Sequence, residues 1–436
     1  MTGRRLFKFL KRQSVLIAER KNNGKSVTFP LVVENERKSP EIFIFHYKFQ
    51  SDNPCHSRMD KADEIASVAS APEIESGDAS IASAPNKIII AGEHSVVYGG
   101  RAVAAPVEVN GKRNVVTARI SSGKPGVTFG GDLGIASLET DGRKSGAEAY
   151  FPVLEGIAKA LESCGMSPAS LPGKLSCSLE WSGSPKGTGN SASIPAATAL
   201  SVCGLFGKKL SKNELFDLAY EVDNAYHAGK SSGLDPQTVC SDLPQEFKKI
   251  FSPGGAVTFE YKDVPLSFPS DTSLLLVDSY RSGEKSSTGA MVELFASNKG
   301  IAKKPADLTE AERRAITSPF DSVVEKIEAE CFGAGDPERL GKLLDENHAM
   351  LKAGGVSSPD IERVLSVAKA NGALGGKLVG AGGNGGAVIV LARQSELVKI
   401  TRTLEAEKFT VYAVVFARKG ASLDSVNINK TGKLSG

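Results

Sequence analysis

The sequence predicts a two-domain α+β protein: an N-terminal α/β domain carrying a phosphate-binding loop, then a C-terminal α+β sandwich of the split-βαβ kind. Three observations carry this prediction. Pro185-Lys186-Gly187-Thr188-Gly189-Asn190-Ser191-Ala192-Ser193 leads straight into the small-residue run Ile194 to Phe206, as a glycine turn opening a helix would. After about Gly255 the strand and helix pattern restarts. A second glycine-rich stretch, Gly380-Ala381-Gly382-Gly383, precedes the apolar strand Ala387 to Leu391.

The elements follow in order. The apolar run Lys87 to Ala91 reads as a buried strand broken by Gly92-Glu93-His94, and Ala102 to Val109 reads as another. Strands are expected at Val115 to Ile120 and Lys174 to Trp181, with a helix across Ala147 to Leu161 between them. Pro195 fits only a first helical turn, which sets the start of the next helix near Asn190 to Ala192. A helix over Lys212 to Tyr226 is followed by the loop Ser231 to Pro236. Past the boundary come strands at Val257 to Tyr261 and Leu274 to Asp278, and the polar loop Arg281 to Thr288. Helical stripes follow on Phe320, Val323, Val324 and Ile327, and on Leu340, Leu343, Leu344 and Leu351. Ser358-Pro359 caps a further helix, and a helix at Glu396 to Ala406 and a strand at Phe409 to Ala417 complete the sandwich. The expected divisions are a tail over 1–82, basic and then rich in Ala, Ser and acids, disordered or targeting; domains over 83–255 and 256–420; and a flexible tail over 421–436.

Composition narrows the function. Net charge is +3, but residues 1–25 hold +7, so the remaining 411 residues sum to −4 and leave no basic face for nucleic acid. No apolar run approaches the roughly 20 residues of a membrane span. The six cysteines show no paired spacing, which reads as reduced thiols and no zinc site. The body reads as cytoplasmic, while the basic, acid-poor start is also compatible with an organelle presequence or with an extension of no structural role.

The 185–193 stretch alone is more readily an ordinary turn than a phosphate cradle. Its company is more specific. Ser83-Ala84-Pro85-Asn86-Lys87 through Gly92-Glu93-His94-Ser95-Val96-Val97-Tyr98-Gly99, the 185–193 stretch, Asn347-His348-Ala349-Met350-Leu351 and Gly380 to Gly383 together resemble the three motifs of the GHMP small-molecule kinases, and within them the branch acting on mevalonate. Phosphomevalonate kinases resemble this too, but usually carry tyrosine after the glutamate. The resemblance spans residues 83 to 418 and implies the GHMP fold, with a ferredoxin-like C-terminal domain and an active site between the domains. It implies ATP as co-substrate, Mg2+, mevalonate as acceptor in isoprenoid and sterol biosynthesis, and compatibility with a homodimer.

By the same resemblance Asp235 is the catalytic aspartate and Lys87 its neighbouring lysine. Glu93 and His94 stand at the substrate. Residues 185–193 and 380–383 bind ATP, and Ser193 with Asp223 (or Glu221) holds the metal. A ligand sensor of the same fold, without turnover, is the reading from another class. Departures are plain: Asn86 stands where glycine is usual, Asn190-Ser191-Ala192 replaces Leu-Gly-Ser, Asp223 replaces glutamate, one residue is added before Asp235, and Val379 replaces threonine.

Overall fold

The computed structural model describes residues 75–252, 256–333 and 335–428, together with three strands near the start of the chain. Those strands, β1 (Lys8–Arg12), β2 (Val15–Asn22) and β3 (Lys25–Pro30), pair antiparallel in a sheet of their own. Where an unstructured tail was expected, these segments are strands; the other residues of 1–74, and with them the targeting reading, lie outside the described residues.

The chain then alternates between two larger sheets. β4 (Ala79–Ala84) enters the first, and Pro85 turns it into β5 (Asn86–Ala91) and β6 (Arg101–Val109) of the second. Asn110, in the left-handed region at φ 51°, returns it to β7 (Asn114–Ser121), β8 (Gly126–Gly131), β9 (Gly134–Leu138) and β10 (Lys144–Gly146). Helix α1 (Phe151–Ser163) and β11 (Lys174–Glu180) lead to α2 (Asn190–Leu205), α3 (Lys212–Tyr226) and the short α4 (Leu234–Val239). The rest runs β12 (Gln245–Phe251), β13 (Val257–Asp263), β14 (Thr272–Asp278), α5 (Thr288–Asn298), α6 (Glu310–Cys331), α7 (Pro337–Ala353) and α8 (Pro359–Ala370). It ends with β15 (Ala373–Val379), β16 (Ala387–Arg393), α9 (Gln394–Ala406), β17 (Thr410–Phe416) and β18 (Ser422–Asn427).

The first sheet has the order β10-β9-β8-β11-β7-β4-β18 and carries α1, α2 and α3 over a core that includes Val116, Leu154, Leu175 and Val202. The second has the order β13-β12-β6-β17-β14-β16-β15, with β5 beside β6. Its central strands are buried on both faces: one packs Ile389 and Leu276 against Val323 and Leu343, the other packs Val388 and Val390 against Val364 and Ile400.

This pairing redraws the expected division. A boundary at 255/256 cuts the β12–β13 hairpin, and β5, β6 and β12, assigned to the first domain, lie in the second sheet. The 421–436 tail is not flexible throughout, since β18 pairs antiparallel with β4, which straddles the expected boundary at 82/83. Pro195 is the sixth residue of α2 and lies past its first turn, so the Ser191 carbonyl is left without the usual N–H donor four residues on. Ser211 with Glu214 forms a capping box on α3, and Ser358 caps α8 with Pro359 at its first position.

Candidate active site

The two sheets meet at a cleft of about 640 Å3 whose wall includes Lys87, His94, Gly187, Ser191, Asp223 and Asp235, a volume within the range of small-molecule sites. Lys87, second residue of β5, runs buried beneath the loop. Its Nζ pairs with Asp235 Oδ1 at 3.0 Å and donates to Gly187 O at 3.1 Å. Gly189, at φ 78°, must be glycine on two counts: the left-handed backbone, and the Lys87 stem, whose Cγ would lie 2.8 Å from an added Cβ. No side chain caps α2 behind it, so the positive helix end opens toward an anion.

Asp235 sits in the first turn of α4 with its side chain partly open. The loop before α4 is shaped by its own serines, Ser231 Oγ accepting from Gly233 N at 3.1 Å and Ser232 Oγ from Leu234 N at 3.2 Å. Lys249 reaches under it, donating to Ser231 O at 2.8 Å; burial lowers its ammonium to about 8.

The buried Asp223 carboxylate accepts from Ser191 Oγ at 2.6 Å and Ser231 Oγ at 2.5 Å. Burial raises its pKa and nearby Asp235 adds to this, while His227 and the two hydroxyls pull it down. Glu221, the alternative, points elsewhere: it is half-exposed and paired with Lys159.

Ser193 requires correction. Its hydroxyl is fully buried away from the cleft, donating to Ala84 O at 3.1 Å and accepting from Asn114 Nδ2 at 3.0 Å. Two residues along a helix is a turn of about 200°, so Ser191 and Ser193 face opposite ways, and Ser191 is the hydroxyl beside Asp223. Thr188 and Ala192 are likewise buried behind the loop, Thr188 Oγ1 bonding Pro185 O at 2.7 Å. Pro185, Lys186, Gly187, Gly189 and Asn190 line the cleft with Ser191, as do Gly380 and Ala381. Gly382 and Gly383 lie outside that lining and pack instead, Gly383 N donating to Val356 O at 2.8 Å. The two glycine loops touch: a Cβ on Gly187 would come 2.8 Å from Val379 O.

Glu93 and His94 both reach the cleft wall, but Glu93 is committed inward. Its carboxylate forms an ion pair with Lys377 Nζ, both side chains buried, and accepts from Asn347 Nδ2 at 3.4 Å. Lys377 also donates to Ile89 O at 3.1 Å and Leu378 O at 2.8 Å. Burial raises the Glu93 pKa against the pull of Lys377. His94, left-handed at φ 60°, places Nε2 3.1 Å from Ala381 O and stacks on Phe295. Burial drops its ring to about 4, so it is neutral near pH 7, with Nδ1 buried and unpartnered.

Sequence reasoning missed two features. Lys285, from the 281–288 loop, joins Lys87 and Lys186 on the wall; burial and Lys285 lower Lys186. Asn190 Oδ1 gathers Asn86 Nδ2 at 2.8 Å, Asn114 Nδ2 at 3.1 Å and Ser184 Oγ at 3.0 Å. Asn86 and Asn190, two departures from the family pattern, are thus hydrogen-bonded to each other.

Comparison with known proteins shows the family of the chain. Residues 157–241 match the GHMP kinases N terminal domain and residues 324–410 the GHMP kinases C terminal domain. The chain belongs to the GHMP kinase family and is an ATP-dependent small-molecule kinase. Within the family it is 32% identical to the mevalonate kinase of Aeropyrum pernix, over 79% of this chain and 98% of that one. It is 31% identical to the mevalonate kinase of Pyrococcus horikoshii, over 73% and 90%. In fold it resembles the Methanococcus jannaschii mevalonate kinase, with TM-score 0.58 and 20% identity over 78% of this chain and 99% of that one.

Proposed function

We propose that this chain transfers the γ-phosphoryl group of ATP to the 5-hydroxyl of mevalonate. The observation that carries the reading is the Lys87–Asp235 pair, 3.0 Å apart directly under the glycine loop that opens α2. Phosphoryl transfer to an alcohol needs an in-line hydroxyl, a group to receive its proton and positive charge around the phosphates. Asp235 receives the proton from the bound hydroxyl. Lys87 holds that carboxylate in place and presents positive charge to the oxygen as it becomes nucleophilic. The open N-terminus of α2, Lys186 and Lys285 hold the nucleotide phosphates.

Mg2+ fits the donors present: Ser191 Oγ and the Asp223 carboxylate are hard oxygens on the cleft wall, a small set of the size expected for an ion that keeps several waters. Those two residues would hold it, and it would neutralise phosphate charge. Glu93 holds the floor through Lys377, while neutral His94 meets the acceptor. Mevalonate is favoured over 5-phosphomevalonate because the relatives at 31% and 32% identity are mevalonate kinases.

An ADP-release assay on the purified chain, run with mevalonate and with 5-phosphomevalonate, tests the assignment. Release with mevalonate is expected. Release confined to 5-phosphomevalonate would move the assignment to the neighbouring branch, and ATP binding without release for either would make the chain a ligand sensor.

A further inference from the structure

The cysteines have no paired spacing in the sequence, yet the fold brings two of them together at the end of α2 remote from the phosphate loop. Cys164 is the C-cap residue of α1, and Cys203 lies near the end of α2, about 20 Å along the helix from Asn190 at 1.5 Å per residue. Ser163 Oγ stands between them, 4.0 Å from Cys164 Sγ and 3.6 Å from Cys203 Sγ, so both thiols gather around one hydroxyl. Cys203 is buried and donates to Ala160 O at 3.7 Å. Cys164 is only half-buried, within reach of small solutes. Lys208 Nζ donates to Ser163 O at 3.0 Å, which sets an ammonium beside the pair.

The chemistry differs from that of the other described cysteines. The neighbouring Cys203 first, then Ser163 and Lys208, hold the Cys164 thiol down at about 7 against the effect of burial, so much of it is thiolate near neutral pH. Burial pushes Cys177 and Cys240 up to about 12 and Cys331 up to about 11. Cys164 therefore joins nucleophilicity, access and an adjacent second thiol.

We propose that Cys164 and Cys203 form a reversible, peroxide-driven disulfide, with Cys164 as the thiol that meets the peroxide and Cys203 as the resolving thiol. The Cys164 thiolate attacks one peroxide oxygen, the O–O bond breaks, and the released hydroxide takes a proton to become water, leaving a sulfenic acid. Cys203 sulfur then attacks the sulfenic sulfur. Its proton leaves with the sulfenic hydroxyl as a second water, and the S–S bond forms. A dithiol reductant reverses the step. The crosslink ties the end of α1 to α2 and restrains the unfolded chain, so the oxidised protein is the more heat-stable form.

The test treats the full chain with hydrogen peroxide, blocks free thiols with N-ethylmaleimide and maps the peptides. A Cys164–Cys203 crosslink, an intact mass lower by about 2 Da, and a melting temperature raised by several degrees and restored by dithiothreitol are expected. Cys203→Ser, whose fold is checked by its own melting curve, should instead accumulate a dimedone-trapped sulfenic acid on Cys164. Both thiols remaining alkylatable, a crosslink to any other cysteine, or equal dimedone labelling in wild type and Cys203→Ser would overturn the proposal.

Discussion

Ser191 and Ser193 stand two positions apart at the start of α2, and the helix turns one to the Asp223 carboxylate and the other to Ala84 O and Asn114. Motif order points to Ser193 as the metal ligand; helix geometry points to Ser191. Ser191→Ala should raise the Mg2+ concentration needed for half-maximal rate at least about tenfold. Ser193→Ala should leave that requirement unchanged and cost about 1–3 kcal/mol of stability, because it strands a buried carbonyl and a buried amide; Mg2+ titration and urea melts separate the two. His94 supplies a second test. Its pKa of about 4 when folded lies below the usual 6.5, so the unfolded chain binds the extra proton between those values. Its contribution is therefore fully present above pH 6.5 and lost as pH falls toward 4, with a slope of up to about 1.4 kcal/mol per pH unit. Urea midpoints from pH 7 to 4.5 should fall more steeply for wild type than for His94→Asn, a residue that also tolerates the left-handed backbone.

Among elements, the second glycine stretch is held less by its glycines than by what lies beneath. Lys377 at the end of β15 and Glu93 after β5 form a buried ion pair, and Asn347 on α7 holds the same turn by accepting from Gly92 N at 3.3 Å. Lys377→Met leaves a buried carboxylate uncompensated and should cost about 3–5 kcal/mol in chemical denaturation. Adding Glu93→Gln should recover part of that loss, whereas independent roles would make the two losses add. None of this was legible in the sequence, where Glu93 reads as a substrate contact and Lys377 draws no notice, because an ion pair across 284 positions leaves no periodic signal. The strands at 87–91 and 387–391 were legible because they are buried on both faces and read as unbroken apolar runs. β4, β12, β15 and β18 were missed, as were β8, β9 and β10, the last three being short, glycine-rich or exposed. Asn86 and Asn190 read as two separate departures, yet they meet at 2.8 Å and hold the phosphate loop as one change.

Over the whole molecule, the cleft exists because the chain crosses repeatedly between two sheets, at Pro85, at Asn110 and again before β18. Local pattern located eight of the eighteen described strands; it could not say which sheet each joins, and this is why a linear division at 255 fails while the order of motifs succeeds. The crossing at Pro85 sets Lys87 under the phosphate loop, and the loop before α4 brings Asp235 to it. The most direct test of this arrangement is the ADP-release rate with mevalonate in Asp235→Asn, measured beside ATP binding. A fall in kcat of about 10^2–10^4-fold with ATP affinity preserved is the expected result. A rate within a few-fold of wild type would contradict the assignment of proton transfer to Asp235.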